Sequence, residues 1–72
     1  MNSQKVFGVF DSAHCLIDTS TTLRGAMIHA RKNGYYRVGV RFVMSGNVFE
    51  LAKLVNNKWV RTQYGLDSSY TN

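Results

Sequence analysis

Residues 35–42 alternate without a break. Tyr36, Val38, Val40 and Phe42 are apolar, and Tyr35, Arg37, Gly39 and Arg41 stand between them. A period of two sends successive side chains to opposite faces, so this segment predicts a strand with one apolar and one basic face. Ser45-Gly46 follows as a tight turn. With those two residues as the loop, Phe42 opposes Phe49, Val40 opposes Leu51, Arg41 opposes Glu50 and Arg37 opposes Leu54. Such a register matches aromatic with aromatic and cation with anion. Asn56-Asn57 predicts a second turn, because Asn tolerates positive φ. A two-residue loop there sets Trp59 opposite Leu54 and Arg61 opposite Ala52, and points Val60, Thr62 and Tyr64 to the core. A three-residue loop exchanges those faces and makes Trp59 a core residue.

Upstream, Lys5–Phe10 is rich in Val and Phe and predicts a strand. Residues 11–14 read as a turn and residues 15–17 as a short return strand. Residues 18–22, Asp-Thr-Ser-Thr-Thr, are dense in side chains that accept from the orphan amides of a helix start. A helix over residues 22–33 follows. Arg31 and Lys32 suit its last turn, and Gly34 suits a left-handed cap. Leu23, Ala26, Met27 and Ala30 form its core stripe, with Arg24, Arg31, Lys32 and Ile28 on the other side. Residues 66–72 are polar and read as a frayed tail. The predicted class is α+β: one domain over residues 1–72, a small antiparallel sheet of three to five strands, and one helix packed on one face.

At 72 residues the core is thin, since a chain of this size buries only about 60% of the surface it exposes when unfolded. That size excludes most metabolic enzymes. Nine Lys and Arg against four Asp and Glu give a net charge of +5. Residues 19–49 contain no acid and hold Arg24, Arg31, Lys32, Arg37 and Arg41, while the charges elsewhere cancel. A field of this kind attracts nucleic acid, anionic membrane or an acidic protein surface. Cys15 is the single cysteine, which excludes an internal disulfide and favours a reducing compartment. There is no apolar run long enough to span a membrane, and the first ten residues lack a signal-peptide pattern, so a cytoplasmic location is expected.

Candidate chemistry is sparse. Asp11, Ser12, His14 and Cys15 include nucleophiles and a base, but neighbours in one turn do not all converge on a reacting atom. His14, Cys15 and His29 fall short of the four paired ligands of a structural zinc site. The six glycines are scattered, so no phosphate-cradling loop forms. The expectation is a protein that is not an enzyme and carries no metal or cofactor.

The expected binding residues are Arg37, Arg41, Trp59 and Arg61 on the open face of the sheet, with Arg24, Arg31 and Lys32 on the helix. Arg and Trp are enriched at the energetic centres of interfaces. The leading expectation is a small basic protein-binding module that docks on an acidic surface of a larger partner and inhibits or redirects it. In size, charge and lack of motifs the chain is similar to the short accessory proteins that bacteriophages make against host machinery. The alternative is nucleic-acid binding through the same basic and aromatic face and the helix cations. Arg37-Val38-Gly39-Val40-Arg41-Phe42 echoes an RNA-recognition strand only faintly. A third reading is a homodimer joined through the open face.

Overall fold

The computed structural model describes residues 4–72. In chain order the elements are β1 (Lys5–Phe10), β2 (Leu16–Ser20), α1 (Leu23–Asn33), β3 (Arg37–Phe42), β4 (Val48–Val55), β5 (Lys58–Arg61) and α2 (Ser68–Thr71). The strands form one antiparallel sheet in the order β2-β1-β3-β4-β5. The chain leaves edge strand β2, crosses through α1 and returns as β3 on the far side of β1. The class is α+β, with α1 lying over β2, β1 and β3.

Local chemistry sets the first half. Asp11 closes the β1–β2 turn by accepting the amides of Ala13 and Cys15, each at 2.9 Å. Strand β2 runs on through Ser20, so Asp18, Thr19 and Ser20 are strand residues and not the lead-in to the helix. Thr22 alone caps α1, its hydroxyl accepting the Gly25 amide at 3.0 Å. Gly34 ends α1 with φ 81°, where a side chain would be strained, and its amide returns to the Ala30 carbonyl. Leu23, Ala26 and Ala30 are buried against Phe7, Val9, Val38, Val40, Leu51 and Ala52, and Met27 packs on that core from its edge. Small residues on α1 let the helix approach the sheet closely.

The β3–β4 hairpin departs from expectation twice. Its loop is residues 43–46, closed by Gly46 at φ 76° donating to the Phe42 carbonyl. Arg41 therefore opposes Val48, Val40 opposes Phe49 and Gly39 opposes Glu50. Relative to the two-residue loop this is an even displacement, which leaves every side chain on its expected face. A bulge then follows. Val38 opposes Ala52 and Arg37 opposes Lys53, so Leu51 is the extra residue. This odd displacement exchanges the faces of everything beyond it.

The β4–β5 turn has the expected register, with Asn56 and Asn57 both at positive φ, Leu54 opposite Trp59 and Ala52 opposite Arg61. Because of the bulge, however, Trp59 and Arg61 lie on the helix side of the sheet, and Val60 on the outer side. Trp59 packs against the core's edge. Val60, expected inside, is 54% exposed.

The bulge is held by the chain that follows β5. The Thr62 amide donates to the Leu51 carbonyl at 2.9 Å, and its hydroxyl donates to the Glu50 carbonyl at 2.5 Å, with the Leu51 carbonyl 3.3 Å from the same hydroxyl. Gly65 sits so close that a Cβ there would lie 2.0 Å from the Leu51 oxygen. The tail expected to fray instead forms α2, whose N-cap Asp67 accepts the Ser69 amide at 2.9 Å. It carries Tyr70 back onto Phe42, Phe49 and Tyr64, with ring centroids 5.0–5.9 Å apart. Edge-to-face contacts of this kind add to the area they bury. No helix in the described residues is long and apolar enough to cross a membrane.

Candidate binding surfaces

The seven expected binding residues do not share a face. Arg37 and Arg41 lie on the outer side of the sheet. Trp59 and Arg61 lie on the helix side, where Arg24 and Arg31 flank them. Lys32 is exposed on α1.

The outer face begins with two facing glycines, Gly8 opposite Gly39 at the centre of the sheet. Buried Phe10 covers Gly39, where a Cβ would lie 2.5 Å from the ring. Leu16 covers Gly8 in the same way. Over this small apolar layer lies the Arg37 guanidinium, 5.2 Å from the Phe10 ring centroid. It donates to Glu50 Oε1 through Nε at 3.2 Å and Nη2 at 2.6 Å, and to His14 Nδ1 through Nη1 at 2.6 Å. The hydrogen bond and charge of Glu50 raise the Arg37 pKa by more than burial lowers it. Arg37 is thus a structural cation engaged within the fold. Glu50, expected opposite Arg41, reaches it because the longer loop slid β4 along β3.

Arg41 is left without a carboxylate. Lys53 and Lys58 join it on the outer face, since they pair with Arg37 and Val55 respectively. Among the described residues, none of these three cations forms an ion pair. Between them stand Val48, Val55 and Val60, which are 41%, 40% and 54% exposed. Sequence reasoning missed Lys53, Lys58 and these valines. The available signal was the adjacent pair Leu51-Ala52, which interrupts a period of two and marks where the phase changes.

On the helix side, α1 covers β2, β1 and β3 but not β5. An open groove of about 580 Å³ runs beside it, lined by Thr22, Leu23, Arg24, Met27, Arg61 and Thr71. That volume falls in the range of ligand-sized clefts. Arg61 is anchored by Nη1 donating to the Gly65 carbonyl at 3.0 Å. Arg31 donates to the Asn57 carbonyl at 3.2 Å, which ties the end of α1 to the β4–β5 turn. The acids lie elsewhere. Asp18 meets His29 at 3.3 Å on the opposite flank of α1, Asp11 and Asp67 take backbone amides, and Glu50 holds Arg37.

The turn that groups Asp11, Ser12, His14 and Cys15 spends those groups locally. The Asp11 carboxylate accepts amides, His14 faces Arg37, and the exposed Cys15 thiol lies 3.8 Å from the Ala13 carbonyl. His29 is on α1, away from that turn. Among the described residues, no three His, Cys, Asp or Glu gather into a metal-binding group. No protein-family model, curated protein or solved structure matches the chain.

Proposed function

We propose that this protein is a non-enzymatic docking module. It lays the outer face of its sheet on an acidic surface of a larger protein and, by occupying that surface, blocks or redirects what the partner does there. The observation that carries this reading is the interleaving of exposed Val48, Val55 and Val60 with unpaired Arg41, Lys53 and Lys58. Aliphatic side chains supply area to remove from water, and the cations steer and orient the encounter.

The same observation favours one class of partner. Two copies meeting face to face would oppose like charges, with the one acid of that face already held by Arg37. Nucleic acid suits this face poorly, because bases stack on aromatic rings, and the residues interleaved with Arg41, Lys53 and Lys58 are valines, while Phe10 is buried. A protein surface that mixes carboxylates with aliphatic groups complements it.

Affinity capture with the full chain from a nuclease-treated extract tests the reading. The expected result is a stoichiometric acidic protein, released by salt, retained by Arg24→Glu and lost with Arg41→Glu combined with Lys53→Glu. Recovery of no such protein, or equal retention by the sheet-face variant, overturns it.

A further inference from the structure

We propose that the open edge of β5 takes up an extended acidic segment of a partner protein as a sixth strand of the sheet. This edge is separate from the outer face, and its use does not depend on the docking reading.

The alternation of hydrogen bonds fixes which main-chain groups face the edge. The Leu54 amide donates to the Tyr36 carbonyl at 2.7 Å, so it points towards β3, and the main-chain groups of Lys53 and Val55 on either side of it point towards β5. Their partners there are Val60 and Lys58. The Thr62 amide continues the same phase by donating to the Leu51 carbonyl at 2.9 Å. The amides and carbonyls of Trp59 and Arg61 therefore point away from β4. Strand β5 is the last of the sheet, and among the described residues no other backbone group bonds to them. Such a row of free groups is a template for another strand.

The opposite edge of the sheet differs. Strand β2 pairs with β1 through a register shift, and its Asp18 has φ 47°, which interrupts the ladder that an added strand would follow. Strand β5 pairs with β4 without a shift, and none of its residues has positive φ.

Side chains select the occupant. The strand reads Lys58-Trp59-Val60-Arg61, which is cation, apolar, apolar, cation. Lys58 and Val60 stand on the outer side, and Trp59 and Arg61 on the helix side. Each side of the edge thus offers one apolar group and one cation. Among the described residues, neither cation meets a carboxylate. Arg31, tied to the Asn57 carbonyl, adds a third charge at the head of the strand. Directly opposed residues supply the cross-strand energy, so the matching segment reads acid, apolar, apolar, acid. That order is the same in both directions and suits a parallel or an antiparallel addition. A second copy of β5 added antiparallel in register would instead set Lys58 against Arg61, and like charges at an edge exclude it.

Amide hydrogen exchange of the isotope-labelled full chain, with and without the capped peptide Thr-Glu-Val-Val-Glu-Thr, tests this. In the free chain the Trp59 and Arg61 amides should exchange faster than those of Lys58 and Val60. With peptide at about ten times its Kd, exchange at Trp59 and Arg61 should slow about tenfold. The same peptide with Lys in place of Glu should give no protection. Of two peptides N-methylated at alternate residues, one should lose the effect and the other keep it. Arg61→Pro removes an amide that makes no bond to β4 and should abolish binding, whereas Arg61→Ala keeps the amide and should weaken binding by no more than about fivefold. The methylated peptides probe the pairing on the unaltered chain, independently of how Arg61→Pro folds. The inference is overturned by absence of protection at about 5 mM peptide, by protection from the Lys peptide, or by equal behaviour of the two methylated peptides. Protection that grows with chain concentration in the absence of peptide would assign the edge to a second copy and overturn it as well. Failure of the outer face to capture a protein leaves each of these readouts unchanged.

Discussion

The two sides of this sheet close in opposite ways. The helix side is sealed over β2, β1 and β3 by α1, and at one end by α2 with the Phe42, Phe49, Tyr64 and Tyr70 rings. The outer side is sealed only above Gly8 and Gly39, by Phe10, Leu16 and the Arg37–Glu50 pair. In each case the open part falls towards β4 and β5. A small chain with material for one good core builds it around β1 and β3 and leaves its other end two-sided. Cationic residues then divide by neighbourhood. Where apolar cover exists, as over Phe10, the arginine is engaged internally. Where it does not, cations remain available.

Substitutions can break this contrast, beginning with the core. Leu51→Ala removes a fully buried side chain at the bulge and should cost about 2–5 kcal/mol in urea denaturation. Phe42→Ala, half-buried against Phe49 and Tyr70, should cost about 3 kcal/mol, the lower end for such a truncation. If either variant unfolds at the wild-type midpoint, the helix side is not the main source of stability.

The thinner outer layer should respond less. Glu50→Ala strips Arg37 of its carboxylate and should cost about 1.5 kcal/mol. Arg37→Glu should be at least as harmful, although sequence patterning alone makes it a harmless surface change. Since the folded-state arginine pKa is raised, the contribution of the pair is present through the neutral range. It is lost on the arginine side only as pH rises through that raised value, in strongly alkaline solution. The smallest effect belongs to Arg41→Ala with Lys53→Ala, expected within about 0.5 kcal/mol of wild type. A larger loss would mean that these two cations are also structural.

Legibility in the sequence followed the range of the interaction. The helix ends were readable because Thr22 and Gly34 act on amides within a few residues of themselves. The turn at Asn56-Asn57 was readable because positive φ is a property of those two residues. The β3–β4 loop was not, since Ser45-Gly46 suits a loop of two residues or of four, and only Gly46 adopts the left-handed conformation. The bulge is stabilised from a distance, by Thr62 and Gly65 closing on the Leu51 carbonyl, and alternation along β4 carries no record of that contact. Tyr70 is a single aromatic in a polar tail, and its partners come from β3, β4 and the segment after β5. The candidate surfaces inherited these errors. Cation identities were visible, but their grouping depended on one extra residue in β4.

That dependence has an evolutionary corollary. Deleting Leu51 would keep Ala52 opposite Val38 and leave the last strand as it is, whereas straightening β4 with Leu51 retained, once Thr62 and Gly65 let go of its carbonyl, would turn that strand over like a card, presenting the indole and Arg61 beside Arg41 while hiding Val60. Point changes at Thr62 and Gly65, outside the strands they govern, would thus move side chains from one side of the molecule to the other without altering any residue of β4 or β5.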